Sequence, residues 1–332
     1  MDVSAAEHAV TARHLSRVWG LPGTVLGRSG WPPSGGQRLH WHWNYWWQAH
    51  LLDTLVDAQS RAPSPARLAS IRAFTRSVRL RNFGRWTNDY YDDIAWLGLA
   101  LQRVSALGID VGPALAAIDT QLLSGWTPAA GGGIWWRRGD DFKNAPANGP
   151  AAIFHARSGN LTRAQAMRDW LSSTLVDPGT GLVWDGIRAD TGELVKHIFT
   201  YCQGVYLGAC LELSAWDDAA RTVRAVAEHC APGGVIRGQG GGDGGLFAAI
   251  LARYLALAAR SLPEPEAATA RALVLTSAEA CWSGAFDAPE GPLFSAYWDR
   301  PAPALPLPDD APERDLSVQV GGWMLLEAAA TL

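Results

Sequence analysis

Two acids stand side by side at Asp92 and Asp93, closing the run Asn88-Asp89-Tyr90-Tyr91-Asp92-Asp93. The run opens an apolar stretch of helical length, so part of its role is local. Asn88 or Asp89 can cap a helix, and acids in a first turn suit the positive end of the helix dipole. Capping, however, needs only one carboxylate. Two neighbours repel, and their pKa values separate so that one ionises while the other keeps a proton. Hydrolysis of a glycosidic bond calls for that division between a nucleophile or base and an acid. The spacing leaves the stereochemistry open. Adjacent side chains on a helix diverge by about 100°, which puts the carboxyl groups roughly 5–7 Å apart. Retaining enzymes use about 5–5.5 Å and inverting ones about 6.5–9.5 Å.

Aromatic residues gather in two places. Trp41, Trp43, Tyr45, Trp46 and Trp47 cluster at one loop–helix junction, and Trp135 and Trp136 follow the loop Gly131-Gly132-Gly133-Ile134. The chain holds 17 Trp, far more than a core filled with Leu and Ile requires. A single Trp is most simply core. Several in loops suit a glycan groove, because sugar C–H faces stack on indoles and the indole N–H donates. Polar candidates for sugar hydroxyls lie beside these junctions: Gln48, Asn88 and Tyr91, then Lys143, Asn144 and Asn148, then Thr200, Tyr201 and Gln203. Amides carry paired donors and acceptors. Asn144 serves equally as a helix cap, and Lys143 as a surface charge.

Other chemistries fit poorly. The glycine run 238–245 lacks the Gly-Lys-Ser/Thr ending of a phosphate loop and follows no strand. His40, His42 and His50 have no acid to complete a metal set, and the cysteines show no C-x-x-C pair, so no metal or cofactor is expected. No Gly-x-Ser-x-Gly elbow occurs. The four cysteines read as small buried hydrophobes.

The elements that must position these residues are helices. Periodicity places them at 5–19, 42–60, 64–82, 89–107, 113–123, 144–158, 161–176, 197–214, 215–230, 245–260, 264–282 and 313–331, with at most short hairpins in the loops. Segments 89–107 and 197–214 are apolar almost all round and belong inside. Segment 64–82 instead sets Arg67, Arg72, Arg76, Arg79 and Arg81 against a Leu68, Ile71, Phe74 and Val78 stripe. Six enclosed helices alternating with six one-sided ones imply an all-α, double-shell (α/α)6 barrel, a single domain over 1–332. No sequence period of 50–55 residues accompanies it.

Composition narrows the partners. The formal net charge is −4, and the 28 basic residues include only two lysines, Lys143 and Lys196, with no basic block. Nucleic acid is therefore not an expected partner. No apolar run reaches the roughly 18 residues of a membrane span. The first 20 residues carry charges throughout and show no secretory pattern, so a cytoplasmic monomer is the expectation.

The runs TNDYYDDIAWLGLA (87–100), GGGIWW (131–136), FKNAPANG (142–149), GLVWDGI (181–187) and FTYCQGVYLGACLEL (199–213) together resemble glycoside hydrolase family 76. YWWQAHLLDTLVDA (45–58) and LSVQVGGWMLLEAA (316–329) fit the same pattern. The resemblance implies an (α/α)6 endo-α-1,6-mannanase acting with retention on α-1,6-linked mannan, with Asp92 as nucleophile and Asp93 as general acid/base. It also makes Asp243 a groove residue. Mannan transglycosylation, or mannan binding by a catalytically weakened member, is the alternative. The pattern departs from the family at Cys202, where Asn is usual, at Ala248, where Lys is usual, and at Pro146.

Overall fold

The computed structural model describes residues 1–332. Its helices are α1 (Val3–His14), α2 (Gly35–Arg38), α3 (Tyr45–Arg61), α4 (Pro65–Arg81), α5 (Tyr91–Ala106), α6 (Gly112–Ser124), α7 (Ala145–Arg157), α8 (Leu161–Thr174), α9 (Thr200–Glu212), α10 (Trp216–His229), α11 (Gly244–Ser261), α12 (Glu266–Ser283) and α13 (Leu316–Ala329). All twelve expected helices are present. The extra one, α2, is a single turn closed by a Ser34–Gln37 capping box, too short to leave a periodic signal.

Helices α3, α5, α7, α9, α11 and α13 pack each against the next, and α13 returns to α3 to close a ring. Outside it, α4 lies on α3, α6 on α5, α8 on α7, α10 on α9, α12 on α11 and α1 on α13. The protein is thus an (α/α)6 barrel. Burial follows the sequence pattern. In α5, Ile94 to Leu101 are all buried, whereas α4 buries Ile71, Phe74 and Val78 and turns Arg72, Arg76 and Arg79 out. Arg81, expected on the polar face, is buried instead, its guanidinium taken up by the His40 and Trp41 carbonyls. Burying one such phenylalanine is worth about 2–3 kcal/mol. Ser64 and Pro65 start α4, the serine Oγ accepting from Arg67 N at 3.4 Å. Small residues bring inner helices close. A Cβ on Gly204 would lie 2.8 Å from the Leu251 Cα, and one on Gly321 would lie 2.3 Å from the Gly245 oxygen.

The loops leading into the inner helices meet at one end of the barrel. Three short sheets form there or nearby: β1 (Leu15–Ser16) with β2 (Leu26–Gly27), β3 (Phe142–Asn144) with β4 (Gly186–Arg188) and β5 (Leu194–Val195), and β6 (Phe286–Ala288) with β7 (Gly291–Leu293). The β3–β4 pair is antiparallel and joins the loops before α7 and α9, which local hairpin signals do not reveal. At the opposite end, Asp57 of α3 pairs with Arg103 of α5 and Arg253 of α11, each at 2.5 Å. A cavity of about 540 Å³ opens around this network, and Asp92 takes no part in it.

Candidate active site

The inner helices share a device in their first turns. The fourth residue is an amide in four of the six: Gln48 in α3, Asn148 in α7, Gln203 in α9 and Gln319 in α13. Each grips a single residue of the preceding loop by both its N–H and its C=O. Gln48 holds Gly27 at 2.8 and 3.0 Å, and Asn148 holds Ile134 at 2.8 and 3.0 Å. Gln203 holds Val183 at 2.7 and 2.8 Å, and Gln319 holds Phe294 at 3.1 and 3.0 Å. The same amide nitrogens also donate to the carbonyls of Trp43, Asn144, Phe199 and Glu313 respectively. All four amides are fully buried. Gln48, Asn148 and Gln203 were expected to meet sugar hydroxyls. With both amide protons and the oxygen committed to main chain, they fasten loops to the barrel instead.

Four further candidates have the same fate. Lys143 is fully buried, and its ammonium donates to the carbonyls of Thr127, Ala129, Gly132 and Gly133 at 2.6–3.0 Å, over the face of Trp135. Burial pulls its pKa down to about 8, which leaves the ammonium the main form at pH 7. This lysine gathers the glycine loop into shape and holds Trp135 there. Asn144 caps α7, its Oδ1 accepting from Ala147 N at 3.2 Å. Thr200 is buried, its N–H and hydroxyl both donating to Gln239 Oε1, at 2.8 and 2.9 Å. Tyr91 is buried beneath Gly125, where a Cβ would come within 2.6 Å of the ring.

The acids sit on the two inner helices without the amide. At the fourth position α5 has Ile94 and α11 has Phe247. Helix α5 also lacks a side-chain cap, and the Asp93 N–H of its first turn donates to Asp92 instead. Both are half-buried at the mouth of the barrel rather than turned into its wall. Asp92 is well supplied with donors: Asp93 N donates to Oδ1 at 2.9 Å, and the Trp136 indole donates to Oδ2 at 3.0 Å. Asp93 accepts from the Asn88 amide at 2.5 Å. Asn88 is itself fixed, its carbonyl accepting from Gln121 at 2.6 Å. Burial raises the Asp92 pKa to about 7 against the pull of its donors. Burial first, then the neighbouring Asp92 charge, holds Asp93 well above the usual carboxylate range. One member of the pair is therefore the better anion and the other the better acid.

Asp243 completes the acidic set from across the mouth. The glycine-rich loop presents it: Gly240 and Gly242 take left-handed backbone, and Asp315 and Ser317 bind the backbone of Gly242. One oxygen of Asp243 accepts from both the Trp46 and the Trp47 indoles, each at 3.0 Å. Its charge adds to the upward shift of Asp92 and Asp93. Tyr201 stacks flat on Phe247 with centroids 3.9 Å apart, and Trp46 tilts against the same Phe247 at 6.2 Å.

Sequence reading passed over Asp185 and Phe247. Asp185 lies in the quoted run 181–187, half-buried, its pKa raised by burial to about 6. The run itself was the only available signal. Phe247 falls in an apolar helical run, which from sequence gives no sign that its ring reaches the mouth. Cys202 is fully buried, and so is the Ala248 side chain but for a sliver. Burial first, then the nearby Asp185 carboxyl, holds the Cys202 thiol well above its usual pKa, so the exchange at 202 changes what neighbours Asp185. Of the three histidines, His40 bonds Ser16 and His50 lies against Trp96.

Comparison with known proteins agrees with this geometry. Glycosyl hydrolase family 76 matches residues 2–303. The α-1,6-mannanase GH76A of Salegentibacter sp. HEL1_6 is 31% identical, with 99% of this chain and 98% of that one covered and a TM-score of 0.86. An inactive variant of that enzyme, with two consecutive aspartates changed to asparagine, was solved with α-1,6-mannotriose; it is 30% identical over 99% and 98% of the chains, TM-score 0.87. The Lin0763 protein of Listeria innocua is 28% identical over 99% and 95%, TM-score 0.85. No curated protein sequence matches. With its barrel, its mouth of acids and indoles and a family match over nearly its whole length, the chain belongs to glycosyl hydrolase family 76 and is a glycoside hydrolase.

Proposed function

We propose that the protein is a retaining endo-α-1,6-mannanase, with Asp92 as nucleophile and Asp93 as general acid/base. The observation that carries the roles is the unequal setting of the two carboxyls. Both Asp92 oxygens accept N–H bonds, which favours its anion, whereas Asp93 has one amide donor and faces the charge of Asp92. The likeness to an α-1,6-mannanase whose inactive variant lacks two consecutive aspartates supports both the substrate and the pair.

In the first step Asp93 gives its proton to the glycosidic oxygen as the C1–O bond breaks, and an Asp92 oxygen bonds C1 to form a mannosyl ester. Asp93, now an anion, takes a proton from water. That water attacks C1 and releases Asp92, so the anomeric configuration is retained and Asp93 is again protonated. Asn88 keeps Asp93 aimed, and Trp136 holds the Asp92 oxygen that does not accept from Asp93. Trp46 and Tyr201 offer ring faces for sugar C–H surfaces.

The test is incubation with linear α-1,6-mannooligosaccharides, followed by NMR of the first-formed anomer. An α-product is expected. A β-product would mean inversion and remove the covalent step, and transfer to excess sugar acceptor in place of water would make the enzyme a transglycosylase.

A further inference from the structure

Outside the mouth, one buried arginine organises a group of exposed rings. Arg81, the last residue of α4, is buried; its guanidinium donates to the carbonyls of His40 at 2.6 Å and Trp41 at 3.2 Å. The rings of Trp43, Phe83 and Trp19 surround it, their centroids 5.2, 5.7 and 5.9 Å from its central carbon. Three aromatic side chains of the group face solvent: Trp19 is 38% exposed, Trp41 62% and Phe83 76%. A single exposed aromatic is ordinary, whereas a cluster of them marks an interaction surface.

The backbone beneath is strained in a way that supports the reading. Trp19, His40, Asn44 and Phe83 all adopt left-handed φ, from +48° to +53°. Bulky side chains such as Trp and Phe rarely do so. Such strain persists where the surrounding structure fixes it, and it concentrates at sites that bind. Here the Arg81 bonds hold the strained turn 40–41, so the rings are set in place before any ligand arrives.

The group is continuous with the candidate active site. Trp43 meets Tyr45 edge-on at 5.5 Å, and the next residues of α3 are Trp46 and Trp47, which bind Asp243. Tyr45 in turn lies close enough to Asp93 for that carboxyl's charge to bear on its hydroxyl. A polymer leaving the mouth past α3 would run onto Trp41 and Phe83.

We propose that Trp19, Trp41 and Phe83 form a second glycan-binding platform that holds a distal stretch of the same polysaccharide whose bond is cleaved between Asp92 and Asp93. Exposed aromatic ring faces suit the C–H faces of a neutral sugar chain. The platform rests on the mannanase reading for the identity of the polymer. It gives the enzyme two holds on one chain, so polymer binds more tightly than a short oligosaccharide that reaches only the mouth.

The test compares intact protein with Trp41→Ala and Phe83→Gly. Glycine suits the left-handed φ at 83, so that variant keeps or gains thermal stability. Retention in native gels containing α-1,6-mannan, and KM on that polymer, are measured beside cleavage of α-1,6-mannotetraose. The expected result is polymer binding weakened about 2- to 10-fold per variant, with mannotetraose kinetics unchanged. Unchanged retention in both variants overturns the platform while leaving the mannanase reading standing. Intact protein that cleaves neither substrate sinks the mannanase reading, and loss of retention in the variants would still show the platform. Self-association of intact protein by sedimentation, abolished in both variants, would make the rings a contact between copies and overturn the proposal, as would their binding to phosphatidylcholine vesicles in place of mannan.

Discussion

The backbone N–H of Asp93 donates to the side chain of Asp92 at 2.9 Å, so the main chain of one acid seats the carboxyl of the other. The Asp93 carboxyl is held separately, by the Asn88 amide. Isosteric changes, which leave the main chain and the side-chain shape in place, are therefore the informative ones.

Asp92→Asn keeps the shape and the Trp136 contact region but removes the nucleophile. Turnover of α-1,6-mannotetraose should fall below detection while binding by calorimetry persists. Asp93→Asn loses the proton donor, a term worth about 10²–10⁴-fold. A substrate with an activated aryl leaving group should recover the first step in this variant, and an ester intermediate should then accumulate. Mass spectrometry of the intact protein reads it directly.

The pair also sets the pH response. With Asp92 titrating at about 7 and Asp93 well above the usual range, kcat/KM should fall as pH drops below about 7 and fall again when Asp93 loses its proton in alkali. Stability runs the other way. A carboxyl raised on folding binds more protons in the folded state, so its contribution is full below about pH 4 and is lost as pH rises through 7. Asp92→Asn should therefore be more stable than the intact protein at pH 8, by about 2 kcal/mol, and gain little at pH 4. Denaturant titrations at the two pH values measure it.

Asp243 separates charge from hydrogen bonding. Asp243→Asn retains an oxygen for the Trp46 and Trp47 indoles but removes a charge that lifts both carboxyls. Both limbs of the pH profile should move to lower pH with KM nearly unchanged. Asp243→Ala frees the indoles as well, and KM should rise several-fold. Equal profiles for the intact and Asn forms would remove the electrostatic role.

Gln203→Leu tests the amide grip. It leaves the N–H and C=O of Val183 and the Phe199 carbonyl without their buried partner, at a cost of about 3 kcal/mol. A lowered melting temperature is expected, with substrate KM affected far less than in Asp243→Ala.

The barrel was legible because burial imposes a helical period: α5 is apolar all round and α4 on one side, and that contrast alone sorts inner from outer shell. The acids were legible because two adjacent carboxylates exceed what a cap requires. The amides misled. A side chain with paired donors and acceptors suits a sugar hydroxyl and a peptide group equally, and nothing local tells Gln203 which it will meet. Lys143 misled for a similar reason, since its four carbonyl partners come from a loop that bends back only in three dimensions. Asp185 and Phe247 depend on contacts between loops far apart in the chain, which no spacing encodes.

The grip of Gln48, Asn148, Gln203 and Gln319 falls on a main-chain N–H and C=O, a pair that every residue but proline carries. The gripped segment can change its side chains, and the stretch between grip and helix can lengthen, without loosening the scaffold. The rim is in effect a set of interchangeable inserts on a standard fitting. A barrel of this design can be retailored to a different polysaccharide by exchanging whole rim segments, provided each new one brings an extended residue to the waiting amide.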